Sequence, residues 1–347
     1  MYNIKKTIFA ALIALPVFAI AQSNENKKSL LPNGWTLSPA GRSIPLGDLP
    51  LNIAVSKSKK LMAVTNNGQS VQSIQLIDPA TEKILDNVIV PKCWYGLKFS
   101  ADEKYLYASG GNDNWILKYA VAKNKLVLND SIVLGKKWPN KISPAGIDID
   151  DAAKKLYVVT KENNSLYIVD LISKNILFKD SLSEPAYSCV LSNNKKELYI
   201  SLWGGKKVLV FDIATKKIAA QINVGENPNE LLLSKNGQYL FVACAGDNAV
   251  SVIDIKQRKE LEVLNAALYP DAPTGSASNG LAISNDQKTL YVANADNNCL
   301  AVFDISKPGF SKSKGFIPTG WYPTNVKVIG KKIFVSNGKG FSSFPNA

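Results

Sequence analysis

The sequence predicts an all-β chain, a seven-bladed β-propeller whose seventh blade lacks its third strand because the chain ends early. Three observations carry that prediction. A strand–turn–strand unit recurs seven times, its strands alternate apolar and polar residues with period two, and helical periodicity is missing beyond the first two dozen residues. The clearest copies are "KKLYVVTKENNSLYIVDL" (154–171), "KELYISLWGGKKVLVFDI" (196–213), "QYLFVACAGDNAVSVIDI" (238–255) and "KTLYVANADNNCLAVFDI" (288–305). Weaker copies stand at 60–78 and 104–121, and "KKIFVSNGKG" at 331–340 is the last. Anchored on Leu61, Leu106, Leu156, Leu198, Leu240, Leu290 and Ile333, the copies are 42–50 residues apart, the length of a four-stranded blade.

The elements follow in chain order. Lys5 and Lys6, an apolar run over 8–20, and the small residues Ala19 and Ala21 before Gln22 read as a secretory signal peptide spanning 1–21. No cysteine follows the cleavage position, which argues against a lipid anchor, and no later stretch reaches the length of a membrane span. The mature chain is therefore expected to be exported, periplasmic or extracellular. Residues 22–33 read as a flexible lead-in, and 34–347 as the propeller. Within it, "GWTLSPAGRSIPLG" (34–47) is expected to add an outer strand to the last blade and so remove an open edge. Each hairpin is preceded by an inner strand, from "LNIAVS" through "AGIDID" and "NELLLS" to "TNVKVI", and most are followed by a fourth, such as "KIAAQINVG". The seventh copy stops after its second strand, so further polypeptide is expected beyond Ala347.

Composition removes several chemistries. With 41 Lys and Arg against 28 Asp and Glu the net charge is +13, and there is no histidine. A histidine general base, a Ser-His-Asp or Cys-His arrangement, and histidine-held zinc, copper or haem are excluded together. Cys93, Cys189, Cys244 and Cys299 show no C-x-x-C pair and read as small buried hydrophobes at strand positions. No phosphate-binding loop or EF-hand spacing is present, and "NADNN" and "GGNDN", which offer oxygen ligands for calcium, read more economically as Asn-rich turns. The expected metal and cofactor complement is none.

Propeller topology sorts the loops between two ends. The loops leading into the inner strands, with those joining second and third strands, gather Trp94, Tyr95, Trp115, Trp138, Tyr187, Trp203, Trp321 and Tyr322 at one end, together with Asn229 and Glu230 at the channel mouth. Such an end suits a small ligand, a glycan or a partner surface; packing between blades is the competing role for each indole. Along the channel, Lys98, Asp148 and Lys327 break an otherwise apolar series, and Lys98 and Asp148 on adjacent blades are placed to pair. The opposite end carries Lys57, Lys59, Lys60, Lys154, Lys155, Lys195, Lys196, Lys216, Lys217, Lys256, Arg258 and Lys259. Aromatic residues are nearly absent there, so the lysines read as a solvated face and no nucleic acid is expected.

"YVAN" (291–294), "YVVT" (157–160) and "FVSN" (334–337) resemble the YVTN-repeat, YncE-like propellers of exported bacterial proteins, over essentially the whole mature chain. "LYPDAPTGSASNGLAISNDQKTLYVANADNN" (268–298) and "GFIPTGWYPTNV" (315–326) resemble a subgroup whose propeller is followed by an alkaline-phosphatase-type phosphoesterase domain. That resemblance implies an accessory, non-catalytic module; it carries over no catalytic or metal-binding residue, because the segment that would hold them is absent. It also implies that the insertion at 265–278, "NAALYPDAPTGSAS", contacts the following domain. Two other classes stay open at this point. One is a stand-alone, lactonase-like hydrolase using Glu230, Asp148 and a divalent ion. The other is a surface adhesion or scaffold protein.

Overall fold

The computed structural model describes residues 29–31 and 34–339. The expected signal peptide and residues 340–347 lie outside the described residues. Six antiparallel four-stranded sheets follow one another at 50–89, 97–133, 144–181, 186–223, 228–265 and 278–318, each with its strands in sequence order. A seventh sheet has two strands, Pro323–Ile329 and Lys332–Asn337. Pro323–Ile329 packs between Ser278–Ile283 of blade 6 and Pro50–Val55 of blade 1, so the seven inner strands make a closed ring. Among the described residues there is no α-helix, only one 3₁₀ turn at Gly111–Asp113.

The period-two pattern explains why the sheets stack radially. Successive side chains of a strand point to opposite faces, and here both faces meet a neighbouring blade. In blade 3, Leu156 and Val158 pack against blade 2, while Tyr157 and Val159 pack against blade 4. One apolar cluster fills each of the seven junctions. The two smallest flank blade 7: Ala282, Ala293, Leu300 and Val326 on one side, and Ile53, Met62, Val64, Ile77 and Ile329 on the other. All four cysteines are buried and unpaired, and burial pushes the Cys93 and Cys299 thiols up to about 12.

The N-terminal segment behaves differently from the sequence expectation. Ser29–Leu30, placed by sequence in a flexible lead-in, pairs with Thr36–Leu37 in a small hairpin. Residues 38–49 form no strand, so 34–47 does not complete blade 7. Pro39 and Pro45 have no N–H for a ladder, and Gly41 sits at φ +83°, which turns the chain out of extended geometry. The Ala40 N–H instead donates to the Pro318 carbonyl at 3.0 Å, fastening this strap to the outer strand of blade 6. Between the strap and Lys332–Asn337 lies a groove of about 560 Å³, with Ile44, Leu46, Ile53, Met62, Val64 and Phe334 among its lining residues. It occupies the place that third and fourth strands fill in the other blades.

Candidate functional site

The channel charges resolve into two tethers. Lys98 Nζ lies 2.8 Å from Asp148 Oδ1, and Asp148 Oδ2 accepts the Leu191 N–H at 2.8 Å, which ties blades 2, 3 and 4. Lys327 Nζ lies 2.6 Å from Glu230 Oε1, while Glu230 Oε2 accepts from the Leu281 N–H at 2.9 Å and from Asn325 Nδ2 at 3.1 Å, tying blades 5, 6 and 7. Asn52 links the remaining blades: its Nδ2 donates to the Tyr95 carbonyl at 2.6 Å, and its Oδ1 accepts from Asn325 Nδ2 at 3.3 Å. The Ser201 hydroxyl donates to the Asn229 carbonyl at 2.8 Å across the junction of blades 4 and 5. A polar belt therefore encircles the axis. The Asp148 carboxylate beside Lys98 holds that ammonium above its ordinary range. The pairing of Lys98 with Asp148 agrees with the sequence; Lys327 with Glu230, 97 residues apart, was not foreseen.

Local strand geometry explains why these side chains converge. In the inner strands of blades 1, 3, 4, 5, 6 and 7 the pairing slips near the mouth, as between Pro228 and Leu231 or Pro323 and Asn325. An irregularity of that kind bends the strand and re-aims the residues beside it. Asn52, Asn229, Glu230 and Asn325 all sit at these slips. Asn229 is buried, donates from Nδ2 to Asn279 Oδ1 at 2.7 Å, and leaves its own Oδ1 without a partner, as does Asn325.

The aromatic set divides into packing and exposed members. Tyr95 is buried, its ring centroid 4.7 Å from that of half-buried Tyr187, and burial raises both hydroxyls well above their usual range. Trp115 also packs inward: its Nε1 is buried without a partner, and a Cβ on Gly110 would collide with its ring. Tyr95 is thus a blade-packing residue, while Trp115 is half-buried against blade 1 with Lys137 Nζ 4.2 Å from its ring centroid. Trp94, Trp138, Trp203, Trp321 and Tyr322 keep exposed ring surface.

Lysine is not confined to the opposite end. Lys161 Nζ sits 5.6 Å from the ring centroids of both Trp94 and Trp203, Lys141 is 5.6 Å from Trp138, and Lys339 lies 5.2 Å from Trp321 and 4.8 Å from Tyr322. Lys161 and Lys339 reach rings from other loops, which no local pattern announces, whereas Lys141 and Trp138 share the loop before blade 3. At the other end, Lys59, Lys154, Lys195, Lys216 and Arg258 occupy left-handed turn positions, as their solvated reading expects.

The asparagine just before the third strand uses its side-chain oxygen internally in three blades. Asn114, Asn248 and Asn298 all have φ of 53–59°, and each carboxamide oxygen accepts backbone N–H groups of the next inter-blade loop. Asn114 takes Ile142 and Ser143, Asn248 takes Gly275 and Ser276, and Asn298 takes Tyr322. The recurrence of Asn just before the third strand was the available signal. Among the described residues no group of three or more carboxylates or thiols is placed to hold a metal.

A closed ring of antiparallel blades with an axial polar belt defines a β-propeller. A family model described as YNCE-like beta-propeller matches residues 5–326, and the chain belongs to that family. No curated protein matches it. Among solved structures, the hydrazine synthase of Kuenenia stuttgartiensis is similar with a TM-score of 0.66 at 17% identity, covering 86% of this chain and 95% of that one. At that identity the likeness concerns the fold alone. No helix among the described residues is long and apolar enough to cross a membrane.

Proposed function

We propose that this chain is an exported, non-catalytic propeller that serves as the accessory N-terminal module of a phosphoesterase protein, with a ligand or partner on its aromatic end. The groove beside Lys332–Asn337 is the observation that carries the reading. Among the described residues six blades have four strands and the seventh has two, and the space next to it is lined by apolar side chains of blade 1, blade 7 and the strap. A segment continuing from this strand would cover them and anchor whatever domain follows. The insertion at 265–278, held by Asn248, is the surface we assign to contact with that domain.

The non-catalytic part rests on the tethers. Asp148 spends its carboxylate oxygens on Lys98, the Ile149 N–H of its own strand and the Leu191 N–H of blade 4, and Glu230 spends its own on Lys327, the Leu281 N–H of blade 6 and Asn325 Nδ2. Groups engaged in this way are poorly disposed to serve as a metal-ligating pair for a lactonase-like hydrolase. Reading the gene beyond codon 347 tests the proposal. A strand of the "LAVFDI" kind followed by a metal-binding phosphoesterase is the expected result. A stop codon there overturns the accessory-module reading and leaves the aromatic end as the whole function.

A further inference from the structure

We infer that the cleft beside Trp94 and Lys161, where blades 1, 2 and 3 meet, is a binding site for an acidic saccharide, a uronic-acid sugar or short oligomer. The inference deepens the proposed binding role of the aromatic end and rests on that reading. The cleft encloses about 600 Å³, within the range of small-ligand sites, and Ser70, Lys92, Trp94, Asn112 and Lys161 are among its lining residues.

Three features select the ligand class. First, Lys161 is held between the Trp94 and Trp203 rings, 5.6 Å from each centroid, so its charge is fixed in place without a carboxylate. The eight ion pairs among the described residues include neither Lys161 nor Lys92. Two uncompensated cations over one cleft favour an anionic occupant. Second, half-buried Trp94 is the one indole among the cleft's described lining residues and offers apolar surface to a sugar ring. Successive bases of a nucleic-acid strand would need several in line. Third, the walls are preformed. The Cys93 N–H donates to Gln72 Oε1 at 2.8 Å, and the Ser143 hydroxyl donates to Asn112 Oδ1 at 2.7 Å, which leaves the Asn112 amide N–H groups for a ligand hydroxyl. Glu162, exposed, is the one acid among the described residues lining the cleft, and it opposes the same ligand charge.

The test is isothermal titration of the folded chain with tetragalacturonate, a neutral tetrasaccharide of equal length, and a single-stranded oligonucleotide. Tetragalacturonate is expected to bind and the neutral sugar to bind at least about tenfold more weakly. Lys161→Met should weaken tetragalacturonate about tenfold, Glu162→Gln should tighten it severalfold, and Trp94→Phe should retain more affinity than Trp94→Ala. Glu162→Gln lies at an exposed position, so its gain cannot arise from misfolding. Equal affinity for the neutral sugar, unchanged affinity in Lys161→Met, absence of binding, or preferential displacement by the oligonucleotide would each overturn the inference. A negative titration alongside a gene that continues into a phosphoesterase would remove this ligand and leave the accessory-module reading standing.

Discussion

At the scale of single residues, Glu230 and Lys327 show how charge is accommodated on the axis. Both side chains are largely buried, and their 2.6 Å ion pair is supplemented by hydrogen bonds from Leu281 and Asn325. Removing one member leaves the other charged in a poorly solvated place, a larger penalty than losing the pair. Glu230→Gln is therefore expected to lower unfolding stability by about 3 kcal/mol in urea titrations. The double change Glu230→Met with Lys327→Met should recover most of that loss. A double variant as weak as the single one would show that the pair is needed for more than neutralisation. None of this geometry is visible at sequence level beyond the oddity of charge in an apolar series, because the partners stand 97 residues apart.

At the scale of elements, the turns matter more than the strands they join. Asn248 combines a left-handed backbone, φ 53°, with three hydrogen bonds into the 265–278 insertion: Gly275 and Ser276 donate to Oδ1, and Nδ2 donates to the Pro273 carbonyl at 2.8 Å. Asn248→Ala removes those bonds and places a Cβ-bearing residue without a local acceptor in the left-handed region. A loss of about 2 kcal/mol is expected. Amide exchange should rise within 267–277 before it rises elsewhere. Protection of that segment unchanged in the variant would show that its own prolines order it. The sequence made the insertion and the Asn turn legible as separate features, but their connection depends on two loops meeting across a blade junction.

At the scale of the whole molecule, blade 7 is where the ring is weakest. Its flanking clusters are the smallest, and its outer side is the strap-bounded groove. Glu82 braces this region: Arg42 of the strap lies 2.5 Å from its carboxylate and Lys332 of blade 7 lies 2.6 Å away. The Arg42 hydrogen bond, then that of Lys332, holds the Glu82 carboxyl at about 2, below its ordinary 4.5. A depressed carboxylate contributes stability that is present above pH 4.5 and disappears as pH falls toward 2. Thermal melts between pH 5 and pH 2.5 should therefore show a steeper loss in the parent than in Glu82→Gln; parallel curves would remove Glu82 from the acid response. Grafting the blade 6 strand "CLAVFDI" after residue 339 should fill the groove and raise the melting temperature by about 3 °C per kcal/mol gained. An unchanged melt would mean that the groove does not accept a strand of this pattern.

The sequence by itself determined that the chain is all-β, that its unit repeats seven times, and that its cysteines are buried, although Cys93 lies in the loop before blade 2 and only Cys189, Cys244 and Cys299 stand in strands. Those properties are set by local means, the period-two alternation and the turn residues between strands. Alternation recurs wherever both faces of a sheet meet another sheet, as Leu156 and Tyr157 do toward opposite neighbours. Only the tertiary structure decided that the strap of residues 38–49 adds no strand to blade 7, because prolines and a left-handed glycine take it out of strand geometry. It also decided that Tyr95 packs inward while Trp94 and Trp203 frame a lysine. Such pairings join blades far apart in the chain, and the slips at the inner strands re-aim side chains at the channel mouth. No pattern within one repeat encodes a contact whose two halves belong to different repeats.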